Sequence, residues 1–209
     1  MQKYTIHTHT IGFDGRNTVQ EMVNRAKNMG FYTVGISNHF IVHPQIKNAK
    51  MYEFADRGGY RNIYSSSFDE AIEKFKKHYA ELDKIKEQNP SIQILRGMEV
   101  DFFDTVKWQN GFEKALEILK PDYIIGSTHF IKYGGTLTNT HDWAHADADT
   151  QDVLMQMYWE NLAKAAESNL FTWMAHLDLP KKVFLGQEPK WAAYENRAVE
   201  SIAKNTYCC

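Results

Sequence analysis

The stretch Ile92-Gln93-Ile94-Leu95-Arg96-Gly97-Met98-Glu99 carries a hydrophobic run directly into a carboxylate and reads as a strand over about 92 to 100. Four other segments repeat the pattern. Tyr4-Thr5-Ile6 runs into His7 and His9, Val34-Gly35-Ile36 into His39, Tyr123-Ile124-Ile125-Gly126 into His129, and Phe171-Thr172-Trp173-Met174-Ala175 into His176. Amphipathic stretches lie between them, so these side chains fall where parallel strands end, the face on which α/β folds build their sites. A single histidine in such a place is most often a hydrogen-bonded core residue. Five repeats, with one carboxylate and one His-x-His pair, point instead to a metal centre, and imidazole with carboxylate suits zinc, iron or manganese.

Working outward, the first strand covers about 3 to 8, and a helix over about Thr18 to Met29 shows the apolar stripe Val19, Met22, Val23, Ala26 and Met29, with Gly30 as its stop. Strand two is about 32 to 37. An irregular stretch from Asn38 to Ser67 follows, long enough to suggest an active-site loop, and then a charged helix from about Phe68 to Gln88. Helices are expected over about Asn110 to Leu119, Thr150 to Ser168 (capped by Asp149 or Thr150) and Lys190 to Lys204, with strands at about 122 to 127 and 171 to 175. A second long loop spans His129 to Ala148. Alternation of strand and helix without a repeated hairpin signal argues a parallel α/β fold. Ligands after all five strands favour a barrel, which brings every strand end to one mouth, over an open sheet with one switch point.

At 209 residues and 43% hydrophobic side chains the chain is expected to form one domain over 1–209. It carries no run of the ~20 apolar residues a membrane span needs, and no signal-peptide region is read after Met1-Gln2-Lys3, so the expectation is a cytoplasmic protein without a membrane partner. A net charge of −2 with interspersed signs gives no basic face for nucleic acid and favours a small-molecule partner. Cys208 and Cys209 read as structurally silent. No Gly-x-Gly-x-x-Gly or Walker-type loop follows a strand, which counts against nucleotide cofactors held that way.

The motifs also resemble a known family. Ile6-His7-Thr8-His9-Thr10 is similar to the opening His-x-His motif of the polymerase and histidinol phosphatase (PHP) superfamily. Ile36-Ser37-Asn38-His39, Gly97-Met98-Glu99-Val100-Asp101 and Gly126-Ser127-Thr128-His129-Phe130 resemble its later motifs in order. Ala175-His176-Leu177-Asp178-Leu179-Pro180-Lys181-Lys182 resembles a segment of histidinol-phosphate phosphatases of the HisJ/HisK type. The resemblance implies a distorted (β/α)7 TIM-like barrel with two to three divalent transition metals (zinc, iron or manganese) and hydrolysis of a phosphate monoester, L-histidinol phosphate, in histidine biosynthesis. It further implies that His7, His9 and Glu99 hold one metal, that Glu99 bridges to a second held by His129 and His176, and that His39 with Asp14 serves a third. Alternatives are another PHP-type phosphatase or phosphodiesterase, and a catalytically silent metal-binding module.

Beyond the ligands, Arg16, Lys132, Lys181 and Lys182 follow motifs by a few residues and are candidates to bind the phosphorylated substrate. Asp101 and Asp178 flank ligands and could orient imidazoles from a second layer, or could be turn and cap residues. Pro44 argues against His43 as a helical ligand partner of His39, His141 and His145 read as solvated loop residues, and His78 reads as surface. Met157-Tyr158-Trp159 reads as helix packing. One departure from the family pattern stands out: no Asp-x-His motif follows His176, and about five βα units are readable, which is too few to close a barrel. The expectation is an incomplete barrel in a truncated or frameshifted chain, with a natural shortened variant as the alternative, and exposed strand edges and inward-facing apolar side chains that favour association into an oligomer or poor stability.

Overall fold

A computed structural model describes residues 3–60, 62–184 and 188–205. Strands β1 (Lys3–Thr5), β2 (Phe31–Ile36), β3 (His39–Val42), β4 (Tyr64–Ser65), β5 (Gln93–Asp101) and β6 (Tyr123–Ser127) form one sheet with a later strand, β9 (Trp173–Met174). Every pair within it is parallel, and the sheet curls into a half-barrel. The spine is β5. On one side β2 runs beside Gln93 to Arg96 and β3 beside Glu99 and Val100; on the other β6 runs from Gly97 to Asp101, with β9 beyond it. Alternation along β5 sends Ile94, Met98 and Val100 into the main core, while Leu95 belongs to a small cluster with Tyr123, Ile125 and Ala175.

The main core lies where α1 (Val19–Asn28), α3 (Phe68–Gln88) and α4 (Val106–Leu119) bury Val23, Phe75, Leu82 and Phe112 with those strand residues. Thr18 caps α1 in a full capping box with Glu21. A second core, around Trp143, Tyr158, Trp159 and Leu162, joins α6 (Ala148–Glu167) to α7 (Glu188–Asn205). Met157, Tyr158 and Trp159 thus pack, as their helical spacing suggested. No helix among the described residues is long and apolar enough to cross a membrane.

Four expectations need correction. The stretch from Asn38 to Ser67 is not irregular: it contains β3, a 3-10 turn at Ile46–Asn48, α2 (Lys50–Arg57) and β4. The pairing of Ile36 with Arg96 and of His39 with Glu99 keeps one register, so β3 continues β2 after a two-residue break at Ser37-Asn38. Four buried residues are too short a run to announce a strand; its hydrogen bonds come from β4 and β5, which are distant in sequence. The stretch His129 to Ala148 likewise holds a hairpin, β7 (Ile131–Tyr133) with β8 (Thr136–Thr138), and a short helix, α5 (Thr140–Trp143). Gly134 and Gly135, at φ 57° and 85°, supply the two positive φ angles its turn requires. The cap of α6 is Asp147, whose Oδ1 accepts from Thr150 N at 2.9 Å, in place of Asp149 or Thr150. Finally, His78 is buried on α3, 7% exposed, where a surface position was expected. Cys208 and Cys209 lie outside the described residues.

Candidate metal centre

His7 and His9 follow β1, and the chain then turns back on itself. Gly15 N donates to Thr10 O at 3.2 Å, and a Cβ at Gly15 would lie 2.1 Å from the His9 carbonyl oxygen, so only glycine permits the approach that returns Asp14 to His9 and His39. His39 stands beside Glu99 across the β3–β5 register. His129 and His176 lie just beyond β6 and β9. The result is a carboxylate, 1% exposed, ringed by imidazoles.

Glu99 Oε2 lies 3.1 Å from His7 Nε2, 3.2 Å from His9 Nε2 and 3.1 Å from His39 Nδ1. Its Oε1 lies 2.7 Å from His176 Nε2 and 3.6 Å from His129 Nε2. Asp14 spans two rings, with Oδ1 3.1 Å from His9 Nδ1 and Oδ2 3.1 Å from His39 Nε2. Two sets have ligand atoms mutually within 4.8 Å: His7, Glu99 and His176; and His9, His39 and Glu99. These groupings cut across the allocation that the family resemblance implies, since His7 is grouped with His176 and His9 with His39.

The donor set fits divalent cations. Three ring nitrogens crowd Glu99 Oε2, yet that buried oxygen makes no hydrogen bond of acceptable geometry, and neither do the buried His9 Nδ1 and His39 Nδ1. Such orphaned polar atoms are costly in a protein interior. A cation shared between carboxylate and imidazoles satisfies all of them at once, whereas a proton satisfies one pair. The electrostatics agree. Burial alone would lower the His9 pKa, but contact with Asp14 and Glu99 raises it to about 9. His129 is raised to about 9 in the same way, burial being outweighed by Asp101 and then Glu99. Burial would raise Glu99 and Asp14, but the surrounding imidazoles hold both well below the usual carboxylate range. The site gathers positive charge even when protons are the only cations offered.

Asp101, buried on β5, accepts from Ser127 Oγ at 3.2 Å and lies 2.5 Å from His129 Nδ1. The imidazole proton is thereby placed on Nδ1, leaving Nε2 to face Glu99. Asp178 is different: it is exposed, precedes a 3-10 turn at Leu179–Lys182, and makes no hydrogen bond to an imidazole among the described residues. Its backbone carbonyl accepts from Lys181 N at 2.9 Å within that turn.

The seven clustered residues line a cavity of about 470 Å³, walled by Met51, Phe54 and Tyr60 from α2 and its C-terminal turn, and by Tyr64, Phe130, His141 and Lys182. Of the four cationic candidates only Lys182 reaches it. Arg16 is exposed beyond the Asp14 turn and outside the lining. Lys181 places Nζ 2.8 Å from Glu195 Oε1 and ties its turn to α7. Lys132, on β7, lines a larger neighbouring cavity of about 600 Å³ together with His43. That cavity mixes five aromatic rings, Trp108 and Phe130 among them, with polar and charged side chains, and contains none of the clustered ligands, all seven of which line the smaller one. His141 and His145 are both exposed, as a solvated position implies, but His141 lies on α5 in place of a loop and edges the cavity. The sequence reading also passed over Asn38 and Ser127, whose signal was limited to adjacency with ligand motifs, and Asn139, which caps α5 and lines the cavity without a neighbouring motif.

Comparison with known proteins bears on this arrangement. The PHP domain family model matches residues 3–208. A Deinococcus radiodurans protein named Probable histidinol-phosphatase is 27% identical over 143 residues, covering 68% of this chain and 54% of that protein, so the chain spans about half the length of this relative. Two solved structures share the fold. A Listeria monocytogenes protein designated hisK, assigned as a histidinol phosphatase, superposes with TM-score 0.66 at 18% identity over 97% of this chain and 79% of its own. Lactococcus lactis histidinol phosphate phosphatase, solved with zinc, L-histidinol and phosphate, gives 0.60 at 13% identity over 96% and 70%.

Proposed function

Because the chain belongs to the PHP domain family, we propose that it hydrolyses a phosphate monoester, with L-histidinol phosphate as the substrate, as a single PHP domain over 1–209 in the cytoplasm. The observation that carries this reading is the buried Glu99 with imidazoles on both of its oxygens. Zinc, iron or manganese held there would supply Lewis-acid charge for a phosphate dianion and would make hydroxide available at neutral pH. His7, His9 and His39 serve one carboxylate oxygen and His129 and His176 the other, so Glu99 is the shared ligand. Asp14 completes the His9 and His39 end. Asp101 keeps the His129 Nε2 lone pair free for ligation. Lys182, at the cavity wall, draws the anionic ester in, and His141 offers it a hydrogen bond.

The likeness to a phosphatase solved with zinc, L-histidinol and phosphate supports this choice of substrate. The test is phosphate release from L-histidinol phosphate by zinc-, iron- or manganese-loaded protein, with p-nitrophenyl phosphate as a general monoester for comparison. Turnover of L-histidinol phosphate that disappears in Glu99→Gln is the expected result. Turnover of the general ester alone would assign the chain to another phosphatase. Release from neither ester by metal-loaded protein would refute phosphatase activity.

A further inference from the structure

Behind the ligands lies a buried polar network that the proposed chemistry does not use. Asn38 Oδ1 accepts from Thr10 N at 2.8 Å, which fixes the amide orientation because a backbone N–H demands an acceptor. Nδ2 therefore faces Thr10 Oγ1 at 2.8 Å and His78 Nε2 at 3.1 Å. The Asn38 carbonyl meanwhile accepts from Glu99 N at 3.0 Å. Asn38, the residue before His39, thus ties the segment after His9 to the strand carrying Glu99. Both Asn38 and Thr10 are buried.

An amide nitrogen has two hydrogens and no lone pair to offer. With one hydrogen directed to Thr10 Oγ1, the other needs an acceptor, and His78 Nε2 is the atom in place. His78 comes from α3, a helix that contributes no ligand, and it packs against Phe13 and Phe75 with ring centroids 5.5 and 6.0 Å away. We propose that His78 is a positioning residue for the metal centre: its unprotonated Nε2 holds the Asn38 amide, and through it the spacing of His9, His39 and Glu99. The inference rests on the reading of these residues as metal ligands.

The test uses zinc affinity measured against a competing chelator, with the absorption spectrum of the cobalt-loaded protein as a report on ligand geometry. His78→Leu keeps the apolar packing and removes the acceptor; His78→Gln keeps an acceptor. The Leu variant should lose ~10 to 100-fold in affinity, the size usual for losing a ligand's supporting hydrogen bond, with a changed cobalt spectrum and native circular dichroism. The Gln variant should stay close to wild type. Equal affinity and spectrum in wild type and His78→Leu would overturn the proposal while leaving the metal centre intact; equal loss in both variants would overturn it too. Failure of wild type to bind zinc would defeat the metal reading itself. Should His78→Leu not fold, nitrogen-15 NMR of the wild-type imidazole decides: a proton on Nδ1 upholds the proposal, and a proton on Nε2 at neutral pH refutes it.

Discussion

Tyr123 lies across the inner face of the half-barrel over two glycines, and replacing one of them measures how tightly the strand carrying Glu99 is held. The Tyr123 hydroxyl donates to Ile6 O at 2.5 Å and its ring stacks on Trp173 with centroids 5.1 Å apart. A Cβ at Gly97 would lie 2.2 Å from Tyr123 Cζ, and one at Gly35 2.2 Å from its oxygen. Neither atom is a flexible chain end, because the ring is pinned by Ile6 and Trp173. Gly97→Ala therefore forces the ring or β5 to move. Overpacking a tight site costs about 1–3 kcal/mol, and losing the Tyr123 hydrogen bond adds about 1 kcal/mol, so a loss near 2–4 kcal/mol is expected. Urea unfolding of metal-free protein gives the value. In a Tyr123→Ala background the same substitution should cost under about 1 kcal/mol, since the clashing atoms are gone. Gly97 and Glu99 share a strand face, so the single variant should also bind zinc more weakly. A cost below about 0.5 kcal/mol for Gly97→Ala in wild type would refute this account of the inner face.

Glu99→Gln should lose at least ~10-fold more zinc affinity than Asp14→Asn, because Glu99 meets five imidazoles and Asp14 two; equal losses by elemental analysis would contradict Glu99 as the shared ligand. Burial lowers the His78 pKa from 6.5 to about 4, so below pH 6.5 the unfolded chain takes up a proton that the folded one refuses. Its contribution is complete above pH 6.5 and fades as pH falls toward 4; between pH 7 and 4.5 wild type should lose about 2.5 kcal/mol more stability than His78→Gln. Parallel acid limbs for the two proteins would show that His78 titrates normally. Asp101→Asn should lower zinc affinity ~10 to 100-fold by freeing the His129 ring, with circular dichroism unchanged; unaltered affinity would remove Asp101 from the site.

What the sequence determined by itself was the repeated delivery of a ligand at a strand end. Hydrophobic runs into His7, His9, His39, Glu99, His129 and His176 are local patterns, and a parallel sheet converts them into one cluster whatever the loops do. The alternation that names strands and helices is equally local, which is why α1, α3 and α6 lie within two residues of the boundaries read from their stripes and stops. Tertiary structure decided the rest. Strand β3 exists because β4 and β5 complete its hydrogen bonds, and four residues carry too little periodicity to reveal that. Which lysine reaches the cavity depends on how the turn after His176 docks on α7: neighbours in sequence, Lys181 is consumed by Glu195 and Lys182 lines the cavity. His78 reads as a surface residue between Lys76, Lys77 and Tyr79, but one helical turn places its ring inward, where Asn38 from another element gives it a partner. For His78 both the face and the partner are decided only by elements that packing brings together.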